Sequence, residues 1–314
     1  MNIQQFEYVL AVAEYRHFET AADKCFVAQS TLSTMISKLE EELGLVLFNR
    51  RRKPVELTSE GERVVRQLRL ITSEISGLKE MVKEIKGEVG GVVKISCIPT
   101  IAPFLLPLFL RQFSETYPKL IIELSESPTE DILHQLKSRE VDIGIVSPPF
   151  DSSQLLEIPL YKEPYVLYDM TLTSDVTVSI EEVDLNNFWL LEDGHCMSDQ
   201  VVNFCSSHRK DINNALNIRF KAGSIGSLVR FVRGNQGRTF LPYLAARQLV
   251  KDDNEKHIIS FKEPIPKRTV SLLVHDHFPK RSVLNALRQA IINCVGVIDE
   301  IEALKQNKSP VTAN

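Results

Sequence analysis

Residues 18–50 read FETAADKCFVAQSTLSTMISKLEEELGLVLFNR, and the spacing of their apolar positions decides the N-terminal fold. Thr20, Ala21, Ala22 and Cys25 mark a short helix, and a break over residues 27–29 separates it from a longer one. That longer helix carries Leu32, Ile36, Leu39 and Leu43 on one face, the spacing of an amphipathic helix, and Gly44 follows as its terminating residue. Its other face holds Gln29, Ser30, Thr31, Ser33, Thr34 and Ser37, short side chains that can approach base edges and phosphates closely. Upstream, Phe6, Val9, Leu10 and Ala13 recur at i, i+3, i+4 and i+7, which gives a preceding helix. Downstream, residues 48–57 read as a β-wing carrying Arg50, Arg51, Arg52 and Lys53. Two packed helices joined by a tight turn, the second with small polar groups at its start, are the helix-turn-helix that enters a major groove. Wing arginines would reach phosphates or a minor groove and supply affinity and salt dependence. The bland alternative is a three-helix bundle whose arginines solvate a surface turn.

The rest of the chain sets the bounds. Its 314 residues exceed one ordinary domain and imply at least two compact units. Hydrophobic content of 43% and charged content of 25% are ordinary globular values. A net charge of -4 argues against indiscriminate coating of nucleic acid or membrane, so DNA contact must come from the local basic patch at 50–53. No apolar run approaches the ~20 residues of a membrane span, and the N-terminus lacks signal-peptide character. A soluble, cytoplasmic protein with no membrane partner is expected. Five cysteines, at 25, 97, 196, 205 and 294, are too scattered for a secreted disulfide framework. Cys25, Cys97 and Cys294 are expected to be core residues.

After Thr58, Ser59 and Glu62 have the spacing of a capping box. Val64, Leu68, Ile71, Ile75, Leu78, Val82 and Ile85 then alternate at steps of four and three, the seam of a helix that pairs with another helix. Polar residues between them leave only a narrow stripe, so a homodimer is expected through this segment. Residues 87–91, GEVGG, form a joint.

From Val92 the pattern changes to α/β. VVKISCI, LIIEL and VDIGIV alternate with helices over 102–117 and 129–138, and a second series runs through YVLYDM, FWLLEDG, a helix over 199–208, NIRFKA, a helix over 224–233 and RTFLP. RTVSLLVH and a final helix from Ser282 close the chain. Strand, helix, strand implies parallel sheet with crossover helices. Ligands in such sheets bind beyond the carboxyl ends of strands, which places the candidate site near Pro99, Thr100, residues 125–129 and residues 192–196. The turn at Gly234, Asn235, Gln236 and Gly237 does not fit a phosphate-binding loop, and no cofactor is expected.

LEDGHCMSDQVVNFC, residues 191–205, carries the sharpest chemical signal. It places Cys196 in a loop just before a helix expected to be capped by Ser198, where amide groups favour a thiolate. His195 would add positive charge or a hydrogen bond, and Asp199 would position a water. A thiolate attacking peroxide needs donors around the departing oxygen, and Thr100 and Thr129 are suitable hydroxyls. The resulting sulfenic acid condenses with a second thiol, of which Cys205 is nearest in sequence. Nine residues of helix span ~13 Å, whereas a disulfide needs Cα atoms within ~7 Å, so the bond would require a local rearrangement. Cys205 also stands at helical spacing from Val201 and Val202, the pattern of a buried core thiol. A zinc site at His195, Cys196, Cys205 and His208 is disfavoured by the adjacent ligands and the absence of a paired Cys motif.

Residues 1–66, with the quoted stretch followed by LTSEGE, resemble the winged helix of LysR-type transcriptional regulators. The two α/β lobes resemble the periplasmic-binding-protein fold of that family's sensor domains. Within it, GHC, DQ and a second Cys resemble the branch of activators that responds to hydrogen peroxide. ISCIPTIAPFLLP with Thr100, ESPTEDIL with Thr129 and KRTVSLLV with Arg268 match that branch's peroxide pocket. The resemblance implies Cys196 as peroxidatic thiol, Cys205 as resolving thiol, and Thr100, Thr129, His195, Asp199 and Arg268 around the peroxide. It also implies promoter DNA and RNA polymerase as partners, a tetramer built from dimers, and no enzymatic turnover. The expected division is a winged helix-turn-helix over 1–58, a linker helix over 59–87, a two-lobed sensor over 88–305 (92–162 with 268–305, and 163–267) and a tail over 306–314. Departures from the family pattern are Ser30, where many relatives have proline, arginines around the turn at 233–239, and a short stretch at 171–184. Two rivals remain, a regulator that binds a small metabolite in the cleft and a thiol peroxidase. Against the second stands a DNA-reading head, for which an enzyme has no evident use.

Overall fold

The computed structural model describes residues 1–85, 90–192, 196–204, 220–250, 252–276 and 278–306, with backbone alone at 79–81, 83–85, 202–203, 252–253 and 297–306. The chain forms two compact units, the first mainly Met1–Glu88 and the second the remainder.

In the first unit α1 (Ile3–Tyr15), α2 (Phe18–Lys24) and α3 (Gln29–Leu43) pack around Phe6, Val9, Val12, Ala21, Leu32, Ile36 and Leu39, all buried. Phe6, Val9, Ala21, Leu32, Ile36 and Leu39 are as the spacing predicts, Val12 joins them unpredicted, and Leu10, Ala13 and Leu43 pack half-buried against that core. Asn2 caps α1, accepting the Gln5 amide at 2.9 Å while its own amide donates to Gln5 Oε1. Gly44 ends α3 at φ 67°, a left-handed conformation that needs no Cβ. β1 (Phe48–Asn49) and β2 (Glu56–Leu57) pair antiparallel as the wing, with Phe48 opposite Leu57. α4 (Ser59–Ile85) follows. Its cap differs from the expectation: Ser59 lies inside the helix and its hydroxyl donates to Glu60, while Thr58 Oγ1 accepts the Gly61 amide at 2.9 Å and donates to Val46. Thr58 wins because its hydroxyl also anchors the turn before the wing. Along α4 Leu68 is buried near the winged core, whereas Ile71, Leu78 and Val82 are 36%, 61% and 44% exposed, so the far half of the seam is unpartnered within the first unit.

The second unit is an eight-stranded mixed sheet among the described residues. β3 (Gly91–Cys97), α5 (Ala102–Thr116), β4 (Leu120–Glu126), α6 (Thr129–Lys137) and β5 (Ile143–Val146) come first. β3 pairs parallel with both β4 and β5, as strand–helix–strand alternation predicts. β6 (Leu155–Asp169) is far longer than the YVLYDM segment expected, and it runs antiparallel to β10 (Lys267–His275) along the whole of the latter. The purely parallel expectation therefore fails at the centre of the sheet. β6 and β10 are the two passages of the chain between the halves, and passages in opposite directions pair antiparallel. β7 (Thr177–Val178) and β9 (Ile258–Phe261) pair parallel, and β8 (Arg238–Pro242) lies on β6. Around this half stand α7 (Cys196–Phe204), α8 (Ile225–Gly234) and α9 (Tyr243–Leu249), and α10 (Arg281–Gln306) closes the chain. FWLLEDG and NIRFKA are not strands in their described residues. They make isolated bridges, Phe188 to Arg238 and Leu191 to Ala222.

The arginines near the turn at 233–239 have structural work. Arg238 is largely buried and ion-pairs with Asp184 at 2.7 Å and Asp169 at 3.3 Å, and Arg233 donates to the Tyr168 hydroxyl at 3.4 Å. No helix of the described residues is long and apolar enough to cross a membrane.

Candidate thiol site and candidate DNA-reading face

Four segments bring the thiol site together. β3 runs into the turn that holds Thr100, α6 begins with Thr129, β10 carries Arg268, and α7 begins with Cys196. Arg268 is the hub. Its guanidinium donates to Thr100 Oγ1 at 3.1 Å, to the Thr100 carbonyl at 3.0 Å, and to Glu163 Oε2 at 2.7 and 2.8 Å. Glu163 Oε1 in turn accepts the Leu244 amide at 2.9 Å. Burial works against the Arg268 charge, but the carboxylate of Glu163 holds the guanidinium firmly protonated.

Cys196 is 8% exposed. Its thiol is pushed above the ordinary value by burial, and the charge of Arg268, the hydroxyl of Thr129 and the Met197 amide pull it back only in part; Asp199 pushes it up further. This corrects the expectation of a thiolate stabilised by the helix start: the amide contact exists, but desolvation outweighs it. Cys196 is also the first residue of α7 and not a loop residue before it. Ser198 does not cap that helix; its hydroxyl donates to the carbonyls of Leu191, at 2.9 Å, and Glu192. Asp199 is exposed on α7. His195, Cys205 and His208 lie outside the described residues, as do residues 205–208 of the expected helix.

Three residues of the site escaped the sequence reading. Glu163 faces Arg268 in register across β6 and β10. The Tyr165 hydroxyl donates to Gln200 Oε1 at 2.6 Å, and Gln200 Nε2 donates to Ser147 Oγ at 2.9 Å and to the Pro148 carbonyl. Gln200 thus ties α7 to the sheet from the turn after the thiol. The signal available was a carboxylate in a strand rich in apolar residues; its partner, 105 positions away, was not readable without the strand register. Of the other cysteines, Cys97 is buried and Cys25 packs half-buried against the core of the first unit, as expected, while Cys294 is only half-buried. Cys294 lines a groove of about 520 Å³ between α5 and α10, and burial pushes its thiol up to about 11.

On the first unit, Gln29, Ser30, Thr31, Thr34 and Ser37 are exposed on α3, and Ser33 is half-buried. Thr34 donates its hydroxyl back to the Ser30 carbonyl at 2.7 Å. The three arginines of the wing divide: Arg50 reaches across α3, Arg52 pairs with Glu56 at 2.6 Å, and Arg51 is exposed in the turn.

Comparison with known proteins agrees with both regions. Residues 3–62 match the model of the bacterial regulatory helix-turn-helix protein, lysR family, and residues 86–293 match the LysR substrate binding domain. The chain is 36% identical over 294 residues to the DNA-binding transcriptional dual regulator OxyR of Escherichia coli strain K12, covering 93% of this chain and 95% of that one. It is 32% identical over 294 residues to the hydrogen peroxide-inducible genes activator of Haemophilus influenzae, covering 93% and 96%. Full-length OxyR from Pseudomonas aeruginosa, solved as a Cys→Asp variant, superposes with a TM-score of 0.78 at 27% identity, covering 93% of this chain and 94% of that one.

Proposed function

Because the chain belongs to the LysR family of DNA-binding transcription regulators, we propose that it is a transcriptional activator switched by hydrogen peroxide, with Cys196 as the sensing group. The observation that carries this reading is the setting of Cys196: a thiol at the start of α7, hydrogen-bonded by Thr129 and facing the charge of a buried arginine. The Cys196 sulfur attacks one peroxide oxygen and the O–O bond breaks. The departing oxygen leaves as water, taking up the proton that the thiol gave up, and Cys196 becomes a sulfenic acid. Arg268 and the hydroxyls of Thr100 and Thr129 donate toward the charge that develops. Condensation with the Cys205 thiol forms the disulfide and releases a second water. His195 and Asp199 complete the proposed pocket.

Helix geometry makes this chemistry a switch. α7 is continuous from Cys196 to Phe204, eight steps or ~12 Å. Cys205 is the next residue of the chain after Phe204, consecutive Cα atoms are ~3.8 Å apart, and a disulfide spans at most ~7 Å between Cα atoms. The bond requires α7 to be broken, and oxidation therefore selects a second conformation.

The division at 58/59 and 87/88 follows, with sensor lobes over 92–162 with 268–305 and over 163–267. Gln29, Ser30, Thr31, Ser33, Thr34 and Ser37 with Arg50, Arg51 and Arg52 address promoter DNA, α4 pairs in a homodimer that doubles to a tetramer, and RNA polymerase is the downstream partner. The protein works in the cytoplasm, without cofactor and without turnover. The test is peptide mass spectrometry after stoichiometric peroxide. It should give a reversible link between Cys196 and Cys205 in the wild type, and Cys196→Ser should abolish both oxidation and promoter activation. A Cys196→Ser protein that still activates with peroxide would return the metabolite-responsive reading.

A further inference from the structure

The carboxylate of Glu40 sits at a junction that the proposed DNA-reading role of Gln29, Ser33 and Ser37 leaves unexplained. Its Oε1 accepts the backbone amides of Leu47 and Phe48, at 2.8 and 3.3 Å, where the chain enters the wing. Its Oε2 takes Arg50 Nη2 at 2.7 Å. The same guanidinium donates to Ser33 Oγ at 3.1 Å and to Ser37 Oγ at 3.0 Å, and it lies 5.1 Å from the centre of the Phe18 ring on α2. Positions 33, 37 and 40 follow the i, i+4, i+7 spacing of one helix face, so Arg50 lies flat along α3. The Glu40 side chain is only 12% exposed.

Hydrogen-bond chemistry then fixes the serines. A guanidinium only donates, whereas a hydroxyl has one proton and two lone pairs. Ser33 and Ser37 both act as acceptors for Arg50, which leaves each O–H to point away from it. Thr34 has spent its own proton on Ser30.

We propose that Glu40 is a positioning residue for DNA recognition: by holding Arg50 across α3 it presents Ser33 and Ser37 as donors to acceptor atoms in the major groove and locks the wing to the helix. The proposal rests on the DNA-reading assignment and deepens it. Arg50 then serves sequence choice, and phosphate charge is left to Arg51 and its neighbours. Simple electrostatics predicts the opposite sign for Glu40, since removing a carboxylate near DNA strengthens binding.

The full-length chain can be tested with the duplex that the wild type selects from a random pool, against an unselected duplex, at several salt concentrations. Glu40→Gln keeps an oxygen for the two wing amides but turns an NH2 toward Arg50. Affinity for the selected duplex should fall at least about tenfold, with affinity for unselected duplex and the salt slope unchanged. Arg50→Lys, which keeps the charge and loses the fork, should do the same. Arg51→Ala should lower both affinities and flatten the slope. If Glu40→Gln binds both duplexes more tightly, or Arg50→Lys discriminates as wild type does, the proposal is overturned. A wild type that prefers no sequence would overturn the DNA-reading assignment and this proposal with it. Thermal melting identifies a variant that has merely unfolded, and the other of the pair then carries the test.

Discussion

Arg268 and Glu163 sit in register across β10 and β6, and their side chains pair at 2.7 Å with each only 2% exposed. A buried pair of this kind gains little over a well-packed apolar pair, but removing one partner leaves the other charged and dry. Arg268→Met should therefore destabilise the sensor by about 3–5 kcal/mol. It should also release Thr100, whose hydroxyl and carbonyl both accept from the guanidinium. Peroxide oxidation of Cys196 should slow at the same time. Differential scanning calorimetry and the rate of sulfenic acid trapping report the two effects separately. A variant with normal stability would mean that the buried pair adds nothing net to folding.

The rate of oxidation should depend on pH in a defined direction. Only the thiolate attacks peroxide, and burial holds the Cys196 thiol above its ordinary value, so the protonated form dominates at neutral pH. The rate should climb about tenfold per pH unit through neutrality and level off only well into the alkaline range. The charged groups acting on the sulfur are Arg268 and Asp199, with Glu163 behind the guanidinium. Asp199→Asn removes a charge that pushes the thiol up, so it should shift the profile to lower pH and speed oxidation near neutrality. Stopped-flow rates between pH 6 and 9, on the order of one point per half unit, would decide. A slower Asp199→Asn would favour Asp199 as a group that positions water beside the peroxide.

What could be read from the sequence follows what is local. The stripes on α1 and α3, the Gly44 terminus, the wing and the α4 helix depend on neighbours a few residues away, and spacing reveals them. Thr100, Thr129, Cys196 and Arg268 came from matched segments, and they do converge. Glu163, Tyr165 and Gln200 stayed hidden for one physical reason. Each acquires its partner through strand register or through packing of distant segments, and no local pattern marks a Glu as the anchor of an Arg 105 residues on. The long β6 was missed because its first ten residues alternate irregularly in burial, and Ser198 was misread because its hydroxyl bonds backward to Leu191 rather than forward into α7.

The exposed half of the α4 seam leads to a further expectation. Ile71, Leu78 and Val82 turn apolar surface outward, which is unfavourable unless a second helix covers it. Leu78→Asp places a charge in that seam and should shift the protein toward monomer by sedimentation, with weaker binding to a two-half-site promoter. Thermal stability of the first unit should change little, because Leu78 is remote from the core around Leu32 and Ile36. A fully dimeric Leu78→Asp protein would place the interface elsewhere.

The tie between Tyr165 and Gln200 should set how readily α7 gives way. Gln200 receives the Tyr165 proton at 2.6 Å and gives its own to Ser147 and Pro148, so three partners on other segments hold the helix that begins at Cys196. In the proposed switch that helix breaks before a disulfide to Cys205 closes. Tyr165→Phe keeps the ring, which packs edge-on against Phe204 at 5.4 Å, and deletes only the donor. Gln200 Oε1 is then buried without a partner, a cost of about 1–3 kcal/mol. That cost falls on the helical state alone, since a broken α7 can present the amide to water. The population of the broken state should rise by about 5- to 150-fold, and disulfide formation should accelerate to match. The first step should respond much less, because Thr129 and Arg268 still act on the thiol. Quenched-flow mass spectrometry can follow sulfenic acid and disulfide separately. If Tyr165→Phe leaves disulfide closure at the wild-type rate while lowering stability, the hydrogen bond persists in both states and does not gate the switch.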